Sequence, residues 1–167
     1  MSTMTLPYRE PLVLRDPGER QVPEPPRRGE EGGPPCGICS GKTTAAVWSD
    51  DNWTLHPPVG GSLPGAVWLA SRVHVDSFRD LPPELQREFG VVAGRVENAI
   101  LSLGDVARVH LYRWGDGGAH FHVWFLPRQL GMLEASGMML PIWEDALPNV
   151  PDQELAAAAE RIAAAMG

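Results

Sequence analysis

Residues 118–128, GAHFHVWFLPR, alternate polar and apolar side chains and predict a β-strand over Ala119–Leu126. Successive side chains of a strand point to opposite faces, so His120, His122 and Trp124 share one face. The residues between them are apolar and face a predicted core. The two imidazoles are then about 7 Å apart, close enough to serve one site. The other interpretation is that both histidines are surface residues.

The strand before this one completes a predicted hairpin. Val106–Tyr112 also alternates, and the turn between the two strands contains Gly115-Asp116-Gly117-Gly118, where glycines allow a positive φ. The alternation places His110 on the polar face. The hairpin therefore predicts one polar face of the sheet that both strands share.

The remaining elements predict an α+β fold. Three short segments rich in β-branched or aromatic residues are separated by turn signals and predict antiparallel strands at Thr44–Trp48, Trp53–His56 and Ala66–Ser71. Apolar residues recur every three or four positions from Pro82 to Leu103, which predicts a long amphipathic helix. An alanine-rich stretch predicts a terminal helix over Asp152–Ala165.

Composition divides the chain of 167 residues into three parts. Residues 1–35 contain eight prolines among charged residues, which predicts an extended arm that is mobile or lies on a neighbouring surface. Residues 36–128 carry the predicted domain. Residues 129–167 hold one basic and six acidic residues and form an acidic C-terminal extension with the terminal helix.

Charge and cysteine content exclude several classes of protein. The net charge is −7, and no Lys/Arg cluster provides the basic face that nucleic-acid binding requires. Two cysteines are too few for an extracellular disulfide scaffold. Because neither a membrane-spanning apolar run nor a signal-peptide core is evident, we expect a cytoplasmic protein that binds no membrane.

The pair Cys36-Gly-Ile-Cys39 is a candidate metal site. A redox-active pair is expected between a strand and a helix of a βαβ unit, whereas this pair follows a proline-rich arm and precedes antiparallel strands. Zn²⁺ takes four ligands, and His74 and His120 are plausible partners for the two thiolates. The alternative is two reduced cysteines with no ligand role.

The order of these motifs over Cys36–Arg128 resembles the histidine-triad (HIT) superfamily of nucleotidyl hydrolases and transferases. The resemblance implies an α+β fold, with a five-stranded antiparallel sheet, a long packed helix and a homodimeric assembly. It implies that Zn²⁺ is the cofactor, with the ligands Cys36, Cys39, His74 and His120. Trp124 stands at the position of the third histidine, so the motif reads H-x-H-x-W.

The resemblance also implies that His122 is the nucleophile, which attacks phosphorus in a nucleotide-like substrate. Its attacking nitrogen must be unprotonated, while its other ring nitrogen donates a hydrogen bond that fixes the tautomer. Phosphoryl charge needs hydrogen-bond donors. The candidates are Arg128, Arg113, His110 and the backbone amides of the glycine turn.

Two functions are therefore expected. The first is an enzyme that uses His122 on a phosphorylated or nucleotidylated small molecule, with a pocket built around Trp53, Trp114, Trp124 and Trp143. The alternative is a zinc-stabilised binding or assembly module without catalysis.

Overall fold

The computed structural model describes residues 5–9 and 12–167 and contains a five-stranded antiparallel sheet of order β1-β2-β3-β5-β4. The strands are β1 Trp48–Ser49, β2 Trp53–His56, β3 Val67–Ser71, β4 Val106–Tyr112 and β5 His122–Gln129. The helices are α1 Pro83–Leu101, α2 Met139–Ala146 and α3 Asp152–Met166. This architecture confirms the predicted α+β fold with its long helix and its C-terminal helix.

One face of the sheet packs under α1 and forms the main core. The apolar stripe of α1 buries Val92, Val96 and Ile100 against the sheet, and α3 packs beside α1 through Ile162. The sheet contributes alternate residues of its strands to this core, among them Phe121 at its entry to β5. The helical periodicity therefore identified the buried face of α1.

Trp53 belongs to this core, so the prediction that it lines a substrate pocket is wrong. Its side chain is fully buried and contacts the rings of Phe89 and Phe121. The alternation of β2 explains the placement, because Trp53 and Leu55 share the face that α1 covers.

Two strands, β1 and β5, differ from their predicted bounds by more than one residue. The first strand is only Trp48–Ser49, and the histidine strand begins at His122 and continues to Gln129. Before β5 the chain bends, and the amide of Phe121 donates to the Val75 carbonyl at 2.6 Å. His120 therefore lies in the bend that enters the strand.

The C-terminal extension covers part of the opposite sheet face. Leu140 of α2 is buried against Leu126 of β5, and Trp124 and Trp143 pack at the edge of the same cluster. α2 was not predicted from the sequence, because it is short and contains Pro141.

The final part of the proline-rich arm lies on the domain surface. The amide of Ala119 donates to the Arg28 carbonyl at 2.8 Å, next to a parallel bridge between Arg28 and Gly118. The Arg27 guanidinium binds the Asp76 carboxylate at 2.7 Å and donates to the Gly115 carbonyl at 2.6 Å. These contacts tether the arm to the hairpin turn. Within the part of the chain that the structure describes, no helix is long and apolar enough to cross a bilayer.

Candidate active site

Four side chains from three separate segments converge beside the sheet: Cys36, Cys39, His74 and His120. Their ligand atoms all lie within 4.8 Å of one another. His120 Nδ1 is 3.3 Å from Cys36 Sγ and 3.5 Å from Cys39 Sγ, and the Nδ1 atoms of the two histidines are 3.2 Å apart. Neighbouring ligands of a tetrahedral Zn²⁺ lie about 3.3–3.8 Å apart. The cluster could hold a metal ion.

Hydrogen bonds to backbone carbonyls orient both imidazoles toward the centre of this cluster. His120 Nε2 donates to the Ser71 carbonyl at 2.7 Å, and His74 Nε2 donates to the Gly29 carbonyl at 3.2 Å. Each ring thus presents Nδ1 as its ligand atom. Such bonds fix the tautomer of a metal-binding histidine. The second bond also joins the arm to the cluster.

Desolvation shifts the pKa values of His120 and Cys39 in the directions that favour their neutral forms. Burial lowers the pKa of His120, which favours the neutral imidazole that binds metals. Cys39 is exposed as a residue, but partial desolvation of its sulfur, followed by the hydrogen bond and charge of Cys36, raises its pKa and so disfavours its thiolate. Both cysteines are free thiols. The donor set therefore suits a cation that compensates thiolate charge.

His122 follows the cluster residue His120 by two positions, and one of its ring nitrogens has no hydrogen-bond partner among the described residues. Its Nδ1 donates to the His120 carbonyl at 2.7 Å, as expected for a nucleophile with a fixed tautomer. None of the described residues forms a hydrogen bond with its Nε2. The ring of Trp68 meets the imidazole edge-on at 6.4 Å.

Two cavities meet at His122. The first, about 420 Å³, is called the polar cavity after the two cations that line it, Arg28 and Lys42; Gly117 and Gly118 also line it. The second, about 300 Å³, is lined by Trp68, Trp124, Pro58 and Val59 among others. Ile38, Lys42 and Thr43 line both cavities. His122 therefore lies between a cavity that holds Arg28 and a cavity that holds Trp68 and Trp124, with Lys42 lining both.

The predicted substrate residues occupy different places. Trp124 lines the aromatic cavity. Arg113 donates to the Asp76 carbonyl and lies over the Phe121 ring. Its guanidinium is therefore directed toward Asp76, the residue that binds Arg27 of the arm. His110 pairs with Leu126, roughly 13 Å along β5 from His122, and Arg128 lies roughly 20 Å away. The structure therefore brings only Trp124 of these four to the cavities at His122.

Burial lowers the pKa of His110, and the positive charges of Arg128 and Arg108 lower it further. The Arg128 guanidinium donates to the carbonyls of Gln129 and Met132. A role for either residue in binding would require a substrate that extends along the strand.

Sequence reasoning missed two cations of the polar cavity, Arg28 and Lys42. Arg28 belongs to the proline-rich arm, whose composition gives no sign of an ordered contact. Lys42 follows the cysteine loop, whose backbone turns back so that the Lys42 amide donates to the Gly37 carbonyl at 2.8 Å. A tight turn after a C-x-x-C metal loop was the available signal for Lys42.

The structure resembles solved histidine-triad proteins. A histidine triad protein from Bradyrhizobium japonicum aligns with a TM-score of 0.63 at 14% identity, over 77% of this chain and 95% of that one. A Zn-bound histidine triad family protein from Mycobacterium smegmatis aligns at 0.56 and 20% identity, over 77% and 88%. A hypothetical histidine triad nucleotide-binding protein from Sulfolobus tokodaii aligns at 0.58 and 12% identity, over 78% and 89%.

A comparison with protein-family models finds no match, and a comparison with curated protein sequences finds none either. The structural matches nevertheless cover most of both chains in each pair. The resemblance predicted from the motifs is confirmed at the level of the fold: the chain has the histidine-triad fold.

Proposed function

We propose that this protein is an enzyme in which His122 attacks phosphorus of a phosphorylated or nucleotidylated small molecule, as a hydrolase or nucleotidyl transferase. The observation that carries the proposal is the hydrogen bond from His122 Nδ1 to the His120 carbonyl. It leaves the lone pair of Nε2 available at the junction of the two cavities. The nucleotide-binding description of the Sulfolobus tokodaii neighbour supports a substrate that carries a phosphate.

The proposed reaction has two displacements. In the first, the Nε2 lone pair forms an N–P bond, and the P–O bond to the leaving group breaks with its electron pair on that oxygen. In the second, water or another acceptor attacks phosphorus, loses its proton to solvent, and returns the N–P electron pair to Nε2. The Nδ1–H bond to the His120 carbonyl stabilises the positive charge that the ring carries between the two displacements.

Transferred phosphoryl oxygens need positive charge that is in place before the reaction. Arg28 and Lys42 line the polar cavity with His122, and the backbone of Gly117 and Gly118 adds to its wall. These residues are the proposed phosphoryl-binding groups. The metal is proposed to be Zn²⁺; with four protein ligands it would stabilise the fold and hold the bend that precedes His122.

Trp124 restricts the leaving group. An indole N–H does not act as a general acid near neutral pH, so the leaving oxygen at this site receives no proton from that position. The substrate is therefore proposed to carry a leaving group that departs as an anion, such as a phosphoanhydride or another activated phosphoryl ester.

We also propose that the protein is a cytoplasmic homodimer. A metal cluster that uses Cys36 and Cys39 as thiolate ligands favours a reducing compartment. β4 is an edge strand of the sheet with Leu111 partly exposed, which favours pairing with a second copy. Light scattering at micromolar concentration should give a mass near twice 18.2 kDa; a mass of one chain would reject the dimer.

Turnover tests the proposed activity. The full chain is incubated with dinucleoside polyphosphates, nucleotide sugars and the non-nucleoside ester 4-nitrophenyl phosphate, all of which release an anion, and the products are followed by liquid chromatography. Turnover by wild type that disappears in His122→Ala supports the proposal. No turnover of any of the three classes, or equal turnover by both proteins, would favour the zinc-stabilised binding module.

A further inference from the structure

A third cavity continues from the aromatic side of His122. It has a volume of about 440 Å³ and shares Pro58, Val59 and Trp124 with the aromatic cavity beside the histidine. Its other walls are Gly60, Ala66, Leu126, Trp114 and Glu144. A molecule bound at His122 can therefore extend past Trp124 into this space.

The C-terminal extension closes one side of the third cavity. Glu144 belongs to α2, and its backbone carbonyl accepts a hydrogen bond at 2.8 Å from the buried Ser62 hydroxyl in the loop between β2 and β3. The Val150 amide donates to the Gly61 carbonyl of the same loop at 2.9 Å. The two hydrogen bonds hold this wall in place.

We propose that the third cavity binds an apolar, ring-bearing group of the substrate, so that the substrate is a phosphoryl ester of a non-nucleoside molecule. This inference rests on the proposed function of His122. The walls present aromatic rings on two sides. Trp114 stacks on Tyr112 at 5.0 Å and 6°, and Trp124 lies 6.3 Å from Trp68. Flat apolar rings bind well against such surfaces.

The distribution of carboxylates argues against a nucleoside at this position. The described residues that line the two cavities at His122 include no Asp or Glu that could accept hydrogen bonds from a ribose diol. Among the residues of the third cavity only Glu144 carries a carboxyl group, and burial raises its pKa. A site without a carboxylate for the ribose diol leaves the diol hydroxyls without their charged acceptor, which disfavours nucleoside binding.

Two phosphonates with stable P–C bonds test the proposal by calorimetry on the full chain: methylphosphonate and naphthalen-2-ylmethylphosphonate. Adenosine 5′-monophosphate is the nucleotide reference. The naphthyl compound should bind wild type at least tenfold more tightly than either of the others. Val59→Asn should reduce its advantage over methylphosphonate to less than threefold. Because Val59 is 90% exposed, this substitution should not affect folding.

Two further variants complete the test. Val91→Asn is the matched control, since Val91 is exposed on α1 and lines none of the three cavities; it should leave all three affinities unchanged. Trp124→Ala should remove the naphthyl advantage in the same way as Val59→Asn. Equal binding of the two phosphonates, no binding of either, or tighter binding of the nucleotide would overturn the inference.

The same measurements separate this inference from the proposed function. Methylphosphonate binding without a naphthyl advantage would reject the apolar subsite and leave phosphoryl chemistry at His122 intact. The naphthyl compound could instead bind more tightly in a way that depends on Val59 while no turnover requires His122. This result would support the apolar subsite and reject the proposed enzymatic activity.

Discussion

Replacing His120 by Ala should remove a metal ligand and a packing residue together. The side chain is only 4% exposed, and its Nε2 donates to the Ser71 carbonyl. Loss of this donor leaves a buried carbonyl unpaired, at a cost of about 1–3 kcal/mol. The cavity left by the truncated ring costs about 2 kcal/mol more.

The metal contributes a separate amount to stability. At a free metal concentration 1,000 times its dissociation constant, binding stabilises the folded state by about 4 kcal/mol. For a chain of this length each kcal/mol corresponds to about 2–4 °C in Tm. His120→Ala should therefore lower Tm by about 14–36 °C in the presence of Zn²⁺, and by about 6–20 °C relative to chelator-treated wild type.

Thermal melts followed by circular dichroism, with and without chelator, measure both contributions, and plasma mass spectrometry measures metal content. Cys39→Ser is the informative comparison, because Cys39 is exposed and its replacement should cost only the metal contribution. His122→Ala should retain metal and lose about 1 kcal/mol. Wild-type metal content in His120→Ala, or a wild-type Tm that chelator does not change, would refute the reasoning.

Four further substitutions test other parts of the structure. Gly65→Ala should lower the free energy of unfolding by about 2–4 kcal/mol in denaturant titrations, because Gly65 has a φ of +95° and an added Cβ would lie 2.6 Å from Leu103 Cδ1. Gly94→Ala in α1, where an added Cβ meets nothing within 4 Å, should instead raise it by about 0.5–1 kcal/mol; equal effects would contradict this placement. The hydrogen bond from Arg27 lowers the pKa of Asp76, so its stabilisation is complete above the unfolded-state pKa and is lost as pH falls through the folded-state pKa. The Tm difference between wild type and Asp76→Asn should therefore be largest near pH 7 and shrink below about pH 4, whereas a constant difference would exclude the linkage. Lys42→Gln should slow turnover at least tenfold without changing Tm, since Lys42 is exposed at the cavity rim; an unchanged rate would remove Lys42 from the phosphoryl site.

The sequence correctly predicted those features in which residue types recur at a fixed spacing. Alternation in residues 119–126 identified the buried side of the histidine strand, and the apolar period of α1 identified its core face. The C-x-x-C pair and two histidines were sufficient to predict a metal cluster, because few arrangements other than a metal site require those residue types together.

The remaining features depend on tertiary contacts that local patterns do not encode. Arg28 is held at the cavity by contacts between distant parts of the chain, among them the hydrogen bond from the Ala119 amide to the Arg28 carbonyl and the ion pair of Arg27 with Asp76, 49 positions away. α2 is short and is stabilised by the burial of Leu140, so propensity alone does not reveal it. The prediction placed Trp53 in the substrate pocket because it considered only which tryptophans the sequence contains. That information does not show which face of a strand each ring occupies.

Intact-mass spectrometry of the protein, quenched during turnover and kept at alkaline pH, tests the role of His122 most directly. If His122 is the nucleophile, wild type forms a covalent phosphoryl or nucleotidyl adduct, which peptide mapping locates at His122 and which His122→Ala does not form. Turnover with no adduct at His122, or with the adduct on another residue, would contradict this role.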